Sequence, residues 1–494
     1  DTSKVQHEII RMIAHGNNVF MVGDEDQCIY GFRAAYPKAL LHFQADYNNP
    51  NILRMERNYR STPQIVELAQ RHIIGNVERY NKTMVADRDD GKPVELITVN
   101  SLEEQYSWVL SVAKSAQKET AFLYRDNESS IVLADVLLRN NIGFCLKKPE
   151  EDNFFMNSVV RDIVAYLTLI INPYDTESLK RIRNRGIIYL KKEKLDEVIN
   201  YCGDKKSTVF DALESCCERN QIIKFIRTYK ELSGRNTEAA IRFISEHGYE
   251  DYLVKNKKES CKIETLLILA KREQDISKYL KRLEELEELI SEGFDDPENI
   301  ITLSTIHSSK GKEYDTVYMV DVYDGRFPSS KKSIVRKSKG DNSDEQEERR
   351  LFYVGITRAK NELYLFNIVE KQSRYIDSLF PEAITQRLEQ YRNQKQCEVA
   401  RQASELRIGV FADNKKKVPE VSEITAEYVD DLKFYHEVKD LFTQQDAQIR
   451  DSRGVRWVKC EICGQILPSD AFVSYGGPNH VNLGKCNACG KNHH

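Results

Sequence analysis

Four short polar runs carry the residue types that do chemistry, and the first three follow or close an apolar run of strand character. The first is Val22-Gly23-Asp24-Glu25-Asp26-Gln27-Cys28-Ile29-Tyr30-Gly31-Phe32-Arg33-Ala34. An apolar strand ending in Gly and Asp places the polar residues after it at the C-terminal edge of a sheet, where open α/β folds bind ligands. There the Gln27 amide can reach a phosphate or a water. Tyr30 and Phe32, interleaved with Arg33, offer aromatic faces to unpaired bases and a cation to a nucleic-acid backbone. Taken singly, such aromatics are more often core residues and the acids an ordinary loop.

The second run, Glu56-Arg57-Asn58-Tyr59-Arg60-Ser61-Thr62-Pro63, closes a strand and opens a helix that Ser61 or Thr62 can cap and whose first turn suits Pro63. A helix N-terminus beside Arg60 can take a phosphate, with Tyr59 placed to stack on a base; alone, the run is as readily a well-capped helix. The third, Ser304-Thr305-Ile306-His307-Ser308-Ser309-Lys310-Gly311-Lys312-Glu313-Tyr314-Asp315, suits contacts to a nucleic-acid backbone, and Glu313 can accept from a ribose hydroxyl. Its bland reading is a polar turn. The fourth, Glu347 to Lys360, is an amphipathic helix running into a loop near Arg358. An Arg held there can stabilise charge on a transferring phosphoryl group, although most single arginines make surface ion pairs.

Positioning such runs takes strands, and these come in two separated stretches. Val19 to Val22, Ile52 to Met55, Val94 to Val99 and Ala121 to Tyr124 lie early; Ile300 to Ser304, Val317 to Val320 and Leu363 to Ile368 lie late. Alternation with helical patterns predicts an α/β fold with a parallel sheet. From about Glu150 to Asn299 amphipathic helices take over, as in Val159, Ile163, Tyr166, Leu167 and in Leu280, Leu283, Leu286, Ile290. That stretch reads as a helical insertion. After Val369 the pattern turns polar, with Lys415 to Lys417 and Pro419 marking a linker. Lys331 to Gly340 holds five basic residues and Asp341 to Glu348 five acids, which predicts a solvated loop.

At 494 residues the chain has room for about three domains. A formal net charge of −4 does not announce a nucleic-acid binder, so any DNA contact must come from local patches. No stretch approaches the roughly 18 apolar residues of a membrane span. That predicts a soluble protein with no membrane contact, and seven of eleven cysteines without a spaced pattern predict a reducing cytoplasm. Cys460-x-x-Cys463 and Cys486-x-x-Cys489, 22 residues apart, predict four thiolates around Zn²⁺.

Together, in wording and order, the four runs resemble motifs III to VI of UvrD/Rep-type superfamily-one DNA helicases, and the resemblance covers about Asp1 to Val369. It implies a RecA-like second lobe over 49–149 and 299–370, a remnant of the first lobe over 1–48, and an inserted duplex-contacting subdomain over 150–298. A linker or helical extension over 371–450 and a zinc ribbon over 451–494 would follow. It makes Gln27, Arg60 and Arg358 γ-phosphate contacts, Tyr59 the adenine-stacking residue, Glu313 a ribose contact, and Tyr30, Phe32, Arg33 and His307 contacts to single-stranded DNA. ATP with Mg²⁺ would drive 3′ to 5′ movement in repair or unwinding, with the ribbon open to DNA or a protein partner. Cys28, Ala34, Lys312 and Tyr314 stand where Ser, Gly, Leu and Phe are usual.

The Gly-Lys pairs beginning at Gly91, Gly311, Gly484 and Gly490 are never followed by Ser or Thr, so no phosphate-binding loop of the usual form is written in the chain. Residue 1 is not Met, and Asp1 to Gln6 looks like the tail of motif II. A truncated motor, inactive by itself, is therefore expected. A motor half of a helicase-nuclease and a non-catalytic DNA-binding adaptor made of one lobe plus the ribbon are the other readings. Arg60 and Arg358 beside Gln27 and Tyr59 weigh against the adaptor.

Overall fold

The computed structural model describes residues 2–14, 19–31, 34–47, 50–148, 154–256, 261–294, 299–329, 343–385, 449–450, 456–459 and 466–468. The chain forms two compact units, Asp1–Tyr391 and Arg392–His494.

In the first unit the strands are β1 (Arg57–Asn58), β2 (Val85–Ala86), β3 (Glu95–Val99), β4 (Thr120–Tyr124), β5 (Cys145–Leu146), β6 (Ile301–Thr305), β7 (Tyr314–Met319) and β8 (Ala359–Ile368). β1 and β2 pair by themselves, and the other six make one sheet in the order β3-β8-β7-β4-β6-β5. Its pairings are parallel, with Phe122 opposite Leu303 on one side and Tyr318 on the other. A parallel sheet must be covered on both faces, and the unbroken burial of the inner strand β4 shows that cover at the centre of the sheet, while edge strand β3 is only part-buried. Side-chain alternation then splits the apolar residues into two cores. Phe122 and Tyr124 join one core, which runs through helices Leu102–Ser115 and Asn127–Leu138 into the helices between β5 and β6. Ala121 and Leu123 join the other, beneath helices Pro63–Ile73, Ser343–Ile356 and Arg374–Leu379. A fully buried Phe122 contributes about 1.5–3 kcal/mol relative to exposure.

The helices between β5 and β6 follow the predicted periodicity. Asn157 caps Ser158–Ile171 by accepting from Val159 N at 2.8 Å, and Val159, Ile163, Tyr166 and Leu167 are buried. Asp275 caps Ile276–Glu292 through Lys278 N at 2.9 Å, with Leu283, Leu286 and Ile290 inward.

Several expectations need correction. Val19 to Val22 and Ile52 to Met55 form no strand, and Phe20 and Leu53 are 90 % and 83 % exposed. No strand lies beside either among the described residues, and without a ladder partner an apolar run does not become a strand. The two-residue strand β5 was not foreseen. Of the two readings for the stretch from 371, linker or helical extension, its start is helical, with helix Arg374–Leu379 and with Tyr375, Ile376, Leu379 and Ala383 in the second core. The acids of 341–348 are not all a solvated loop either: helix Ser343–Ile356 begins among them, Asp344 is buried, and Glu348 pairs with Arg125 at 2.7 Å.

In the second unit β9 (Ile449–Arg450), β10 (Arg456–Lys459) and β11 (Ile466–Pro468) form an antiparallel sheet with β10 in the middle. Cys460, Cys463, Cys486 and Cys489 lie outside the described residues, as do Phe32 and Arg33. Among the described residues no helix is long and apolar enough to cross a membrane.

Candidate functional site

Arg60 is delivered by the turn between β1 and helix Pro63–Ile73. The Asn58 side-chain oxygen accepts from Arg60 N and Ser61 N, both at 2.9 Å, which bends the chain in an Asx-type turn. Ser61 Oγ donates to Ala359 O at 2.7 Å, and Arg88 donates to Arg60 O at 2.7 Å and Lys360 O at 3.1 Å. The turn is thereby stitched to the start of β8. Neither expected cap is made, since Thr62 stands at the N-cap without a side-chain bond and Ser61 is engaged elsewhere; Pro63 does occupy the first helical position. Tyr59 is 63 % exposed at the tip of the turn.

Glu313 and Arg358 immediately precede β7 and β8, so the sheet holds them at its amino-terminal edge, whereas His307 follows β6 at the opposite edge. Gly311 makes the return possible: its φ of +84° lies in the left-handed region, and it turns the chain from the segment after β6 toward Glu313. Arg60 Nε donates to Glu313 Oε2 at 2.8 Å and its Nη1 to Thr357 O at 3.2 Å. The Arg60 guanidinium holds the Glu313 carboxyl below the usual carboxylate range.

Arg358 is 1 % exposed. Its Nε donates to Val354 O at 2.9 Å, Nη1 to Lys312 O at 3.1 Å and Nη2 to Thr357 Oγ1 at 3.1 Å. All three acceptors are neutral. Burial, and then the neighbouring Arg60 charge, push the Arg358 guanidinium down to about 10, so it remains a cation at neutral pH. Burial lowers the Lys310 ammonium too, with Arg358 acting in the same direction.

Gln27 ends a single helical turn, Glu25–Gln27, that Asp24 caps through Asp26 N at 3.1 Å. Its Nε2 donates to Asp24 Oδ2 at 2.7 Å. The residues that follow tie this turn to the segment after β6. Tyr30 OH donates to His307 O at 3.2 Å, their ring centroids are 6.0 Å apart, and Lys310 Nζ lies 5.0 Å from the Tyr30 ring centre. The structure thus groups Arg60, Glu313 and Arg358, sets Tyr59 beside them, and joins the Gln27 loop to their segment through Tyr30, His307 and Lys310.

Sequence reasoning missed Arg79 and Lys82. Lys82 Nζ lies 2.6, 3.2 and 3.1 Å from carboxylate oxygens of Asp24, Glu25 and Asp26. Arg79 grips Asp26 with two bonds of 2.9 and 3.2 Å, and Tyr80 N donates to Glu25 Oε1 at 2.9 Å. Both cations lie on a stretch without helix or strand, so no periodicity marks them. The one sequence signal was the acid triplet itself, which has to find cations if it is buried.

The sequence that builds this site has relatives. Residues 53–370 match the model of the UvrD-like helicase C-terminal domain, and residues 1–48 that of the UvrD/REP helicase N-terminal domain. Over 385 residues the chain is 31 % identical to a Bacillus subtilis protein named "Putative ATP-dependent DNA helicase YjcD", covering 74 % of this chain and 50 % of that protein. It is 28 % identical over 422 residues to the ATP-dependent DNA helicase Rep of Buchnera aphidicola, covering 77 % and 62 %. With the ATP-dependent DNA helicase PcrA of Staphylococcus aureus the figures are 28 % over 398 residues, 74 % and 53 %. The chain therefore spans about half to three fifths of the length of these relatives. With both domain models matched in order and the first of them covering most of the chain, the protein belongs to the UvrD-like helicase family.

Proposed function

We propose that this chain is the nucleotide-sensing and DNA-gripping part of an ATP-dependent DNA helicase that moves 3′ to 5′ and acts in repair or unwinding. The observation that carries the reading is Arg358, a buried cation with no carboxylate at ion-pair distance among the described residues, set beside Arg60. A buried cation held by neutral acceptors, beside a second whose carboxylate partner Glu313 is half exposed, suits a polyanion that arrives and leaves. Tyr59 is exposed where an adenine would stack, and Glu313 has the chemistry to accept a ribose hydroxyl once Arg60 turns to phosphate. Gln27 would face the γ-phosphate or the attacking water. Tyr30 and His307, at the other end of the sheet, are assigned to single-stranded DNA with Phe32 and Arg33. The helices between β5 and β6 serve as the inserted, duplex-contacting subdomain, and the setting is the cytoplasm.

Magnesium is not assigned to the triplet Asp24, Glu25 and Asp26, because the Lys82 ammonium already sits among these carboxylates. No other group of three candidate metal-binding side chains occurs among the described residues. Zn²⁺ on Cys460, Cys463, Cys486 and Cys489 rests on their spacing; equimolar zinc, lost in Cys460→Ser, is the expected elemental analysis.

The test is ATP turnover and unwinding of a 3′-tailed duplex by the protein expressed from its complete reading frame. DNA-stimulated turnover that collapses in both Arg60→Ala and Arg358→Ala supports the proposal, and turnover indifferent to both overturns it. Residues 1–494 alone are expected to turn over ATP negligibly, for want of a phosphate-binding loop.

A further inference from the structure

The Gln27 amide is oriented by a buried chain of charges that begins in a different part of the sequence. An ionised carboxylate only accepts hydrogen bonds, so the group Gln27 turns toward Asp24 Oδ2, at 2.7 Å, must be its NH₂. The amide oxygen then points away from Asp24, leaving an acceptor for a water O–H. Asp24 is itself held on its other oxygen, Oδ1, by Lys82 Nζ at 2.6 Å. Oδ1 also accepts from Asp26 N at 3.1 Å, so Lys82 and the backbone of the turn together set where Oδ2 lies, and Lys82 supplies the shorter, charged contact.

Lys82 is in turn fixed on the far side. It contacts Glu25 Oε1 at 3.2 Å and Asp26 Oδ2 at 3.1 Å, and Arg79 shares Asp26. The side chains of Glu25 and Asp26 are 4 % and 0 % exposed, so these pairs are shielded from solvent. Burial disfavours the Lys82 charge, yet Asp24 and Asp26 outweigh it and raise its pKa, so the ammonium stays protonated across the neutral range. The triplet lies within the stretch that matches the N-terminal domain model, whereas Arg79 and Lys82 lie within the stretch that matches the C-terminal one. The chain of contacts therefore crosses from one family domain to the other.

We infer that Lys82 is a positioning residue for Gln27: through Asp24 it fixes which end of the amide meets the reacting water, and so ties water alignment to the placement of the two domain segments against each other. This rests on the reading of Gln27 given above. If the segments shift, Lys82 leaves Asp24, the amide is free to turn over, and its NH₂ then faces a water that needs an acceptor. With its ammonium engaged by Asp24, Glu25 and Asp26, Lys82 acts on alignment, so kcat should fall while KM holds.

The experiment is steady-state ATP turnover with saturating single-stranded DNA, in the protein from the complete reading frame, for Lys82→Met, Lys82→Arg, Gln27→Ala and the double variant Lys82→Met/Gln27→Ala. Lys82→Met is expected to lower kcat about 10- to 100-fold with KM within about threefold, and Lys82→Arg to restore most of it. The double variant should be no slower than Gln27→Ala alone, because Lys82 has nothing left to orient. If Lys82→Met does not fold, Asp24→Ala replaces it in the same cycle, since Asp24 is 30 % exposed and its loss leaves Arg79 paired with Asp26. Effects of the two sites that multiply in the double variant would overturn the inference while leaving Gln27 in its role. A Gln27→Ala protein as fast as wild type would instead overturn the role of Gln27, and the inference with it.

Discussion

Two sets of buried cations in the first unit obey opposite electrostatic rules. Lys82 and Arg79 are enclosed by Asp24, Glu25 and Asp26, and both have raised pKa values although burial opposes the charge. Arg358 is at least as buried, yet it meets only carbonyl and hydroxyl oxygens, and beside burial the strongest influence on it is another cation, Arg60. Removing a charge from water costs several kcal/mol unless an opposite charge offsets it. The first set has that offset built in; the second lacks it, and the fall of Arg358 to about 10 is the trace. A closed cluster of this sort is a joint, and on the proposed reading an open one keeps a place for an anion that comes from outside.

The largest effect should come from removing the open cation. Arg358→Ala is expected to lower DNA-stimulated ATP turnover by about 10³-fold or more, the range seen when an arginine stabilises a phosphoryl transition state. The same change should leave the melting temperature within a few degrees, because no carboxylate loses its partner. Unfolding of the variant would show that Arg358 is a structural strut and erase the contrast. Asp26→Ala is the reverse experiment. It strands Arg79 and weakens Lys82, so a loss of about 3–5 kcal/mol in chemical denaturation is expected. A loss below about 1 kcal/mol would mean the joint is not closed in solution.

A third arrangement sharpens the comparison, since His72 is buried and deprived of charge altogether. It lies between Phe352 and Tyr375 at ring distances of 4.6 and 4.7 Å, and its Nε2 has no hydrogen-bond partner. Burial, and then the Arg349 charge, push its pKa down to about 3 from an ordinary 6.5. A depressed His binds its proton more readily unfolded than folded, so full stability holds above pH 6.5 and is lost as pH falls toward 3. By pH 5 the loss amounts to about 2 kcal/mol. His72→Phe should remove that part of the pH dependence, and denaturation curves at pH 8 and pH 5 check it; an unchanged slope would show that His72 is hydrated.

What the sequence made legible divides along the same line. Strands β4, β6, β7 and β8 lie close to their apolar runs because a doubly covered parallel strand is apolar on both faces, which local composition records; β3, a part-buried edge strand, was marked by its apolar run as well. Arg60, Glu313 and Arg358 were picked out by motif wording, and the structure brings them together. That Arg358 would be buried without a counter-charge was not legible, since an arginine at a helix end more often pairs at the surface. Nor was the link from Lys82 to Asp24, which spans 58 positions and belongs to no periodic element. Val19 to Val22 misled for a related reason: an apolar run announces a strand only if another strand comes to it.

The smallest expected effect separates the two tasks of Glu313. In this structure Glu313 holds Arg60 across a half-exposed pair, and such pairs contribute about 0–1 kcal/mol, so Glu313→Gln should hardly alter stability. If the carboxylate also takes the ribose, the amide keeps one acceptor but loses the charge, and KM for ATP should rise about 3- to 10-fold. The preference for ATP over 2′-deoxy-ATP should shrink with it. Arg60, freed of its carboxylate, would meet the γ-phosphate with less competition, so kcat should stay level or rise slightly. A fall in kcat at constant KM would place Glu313 with the closed joint, as a residue that aims Arg60, and would leave ribose recognition to another group.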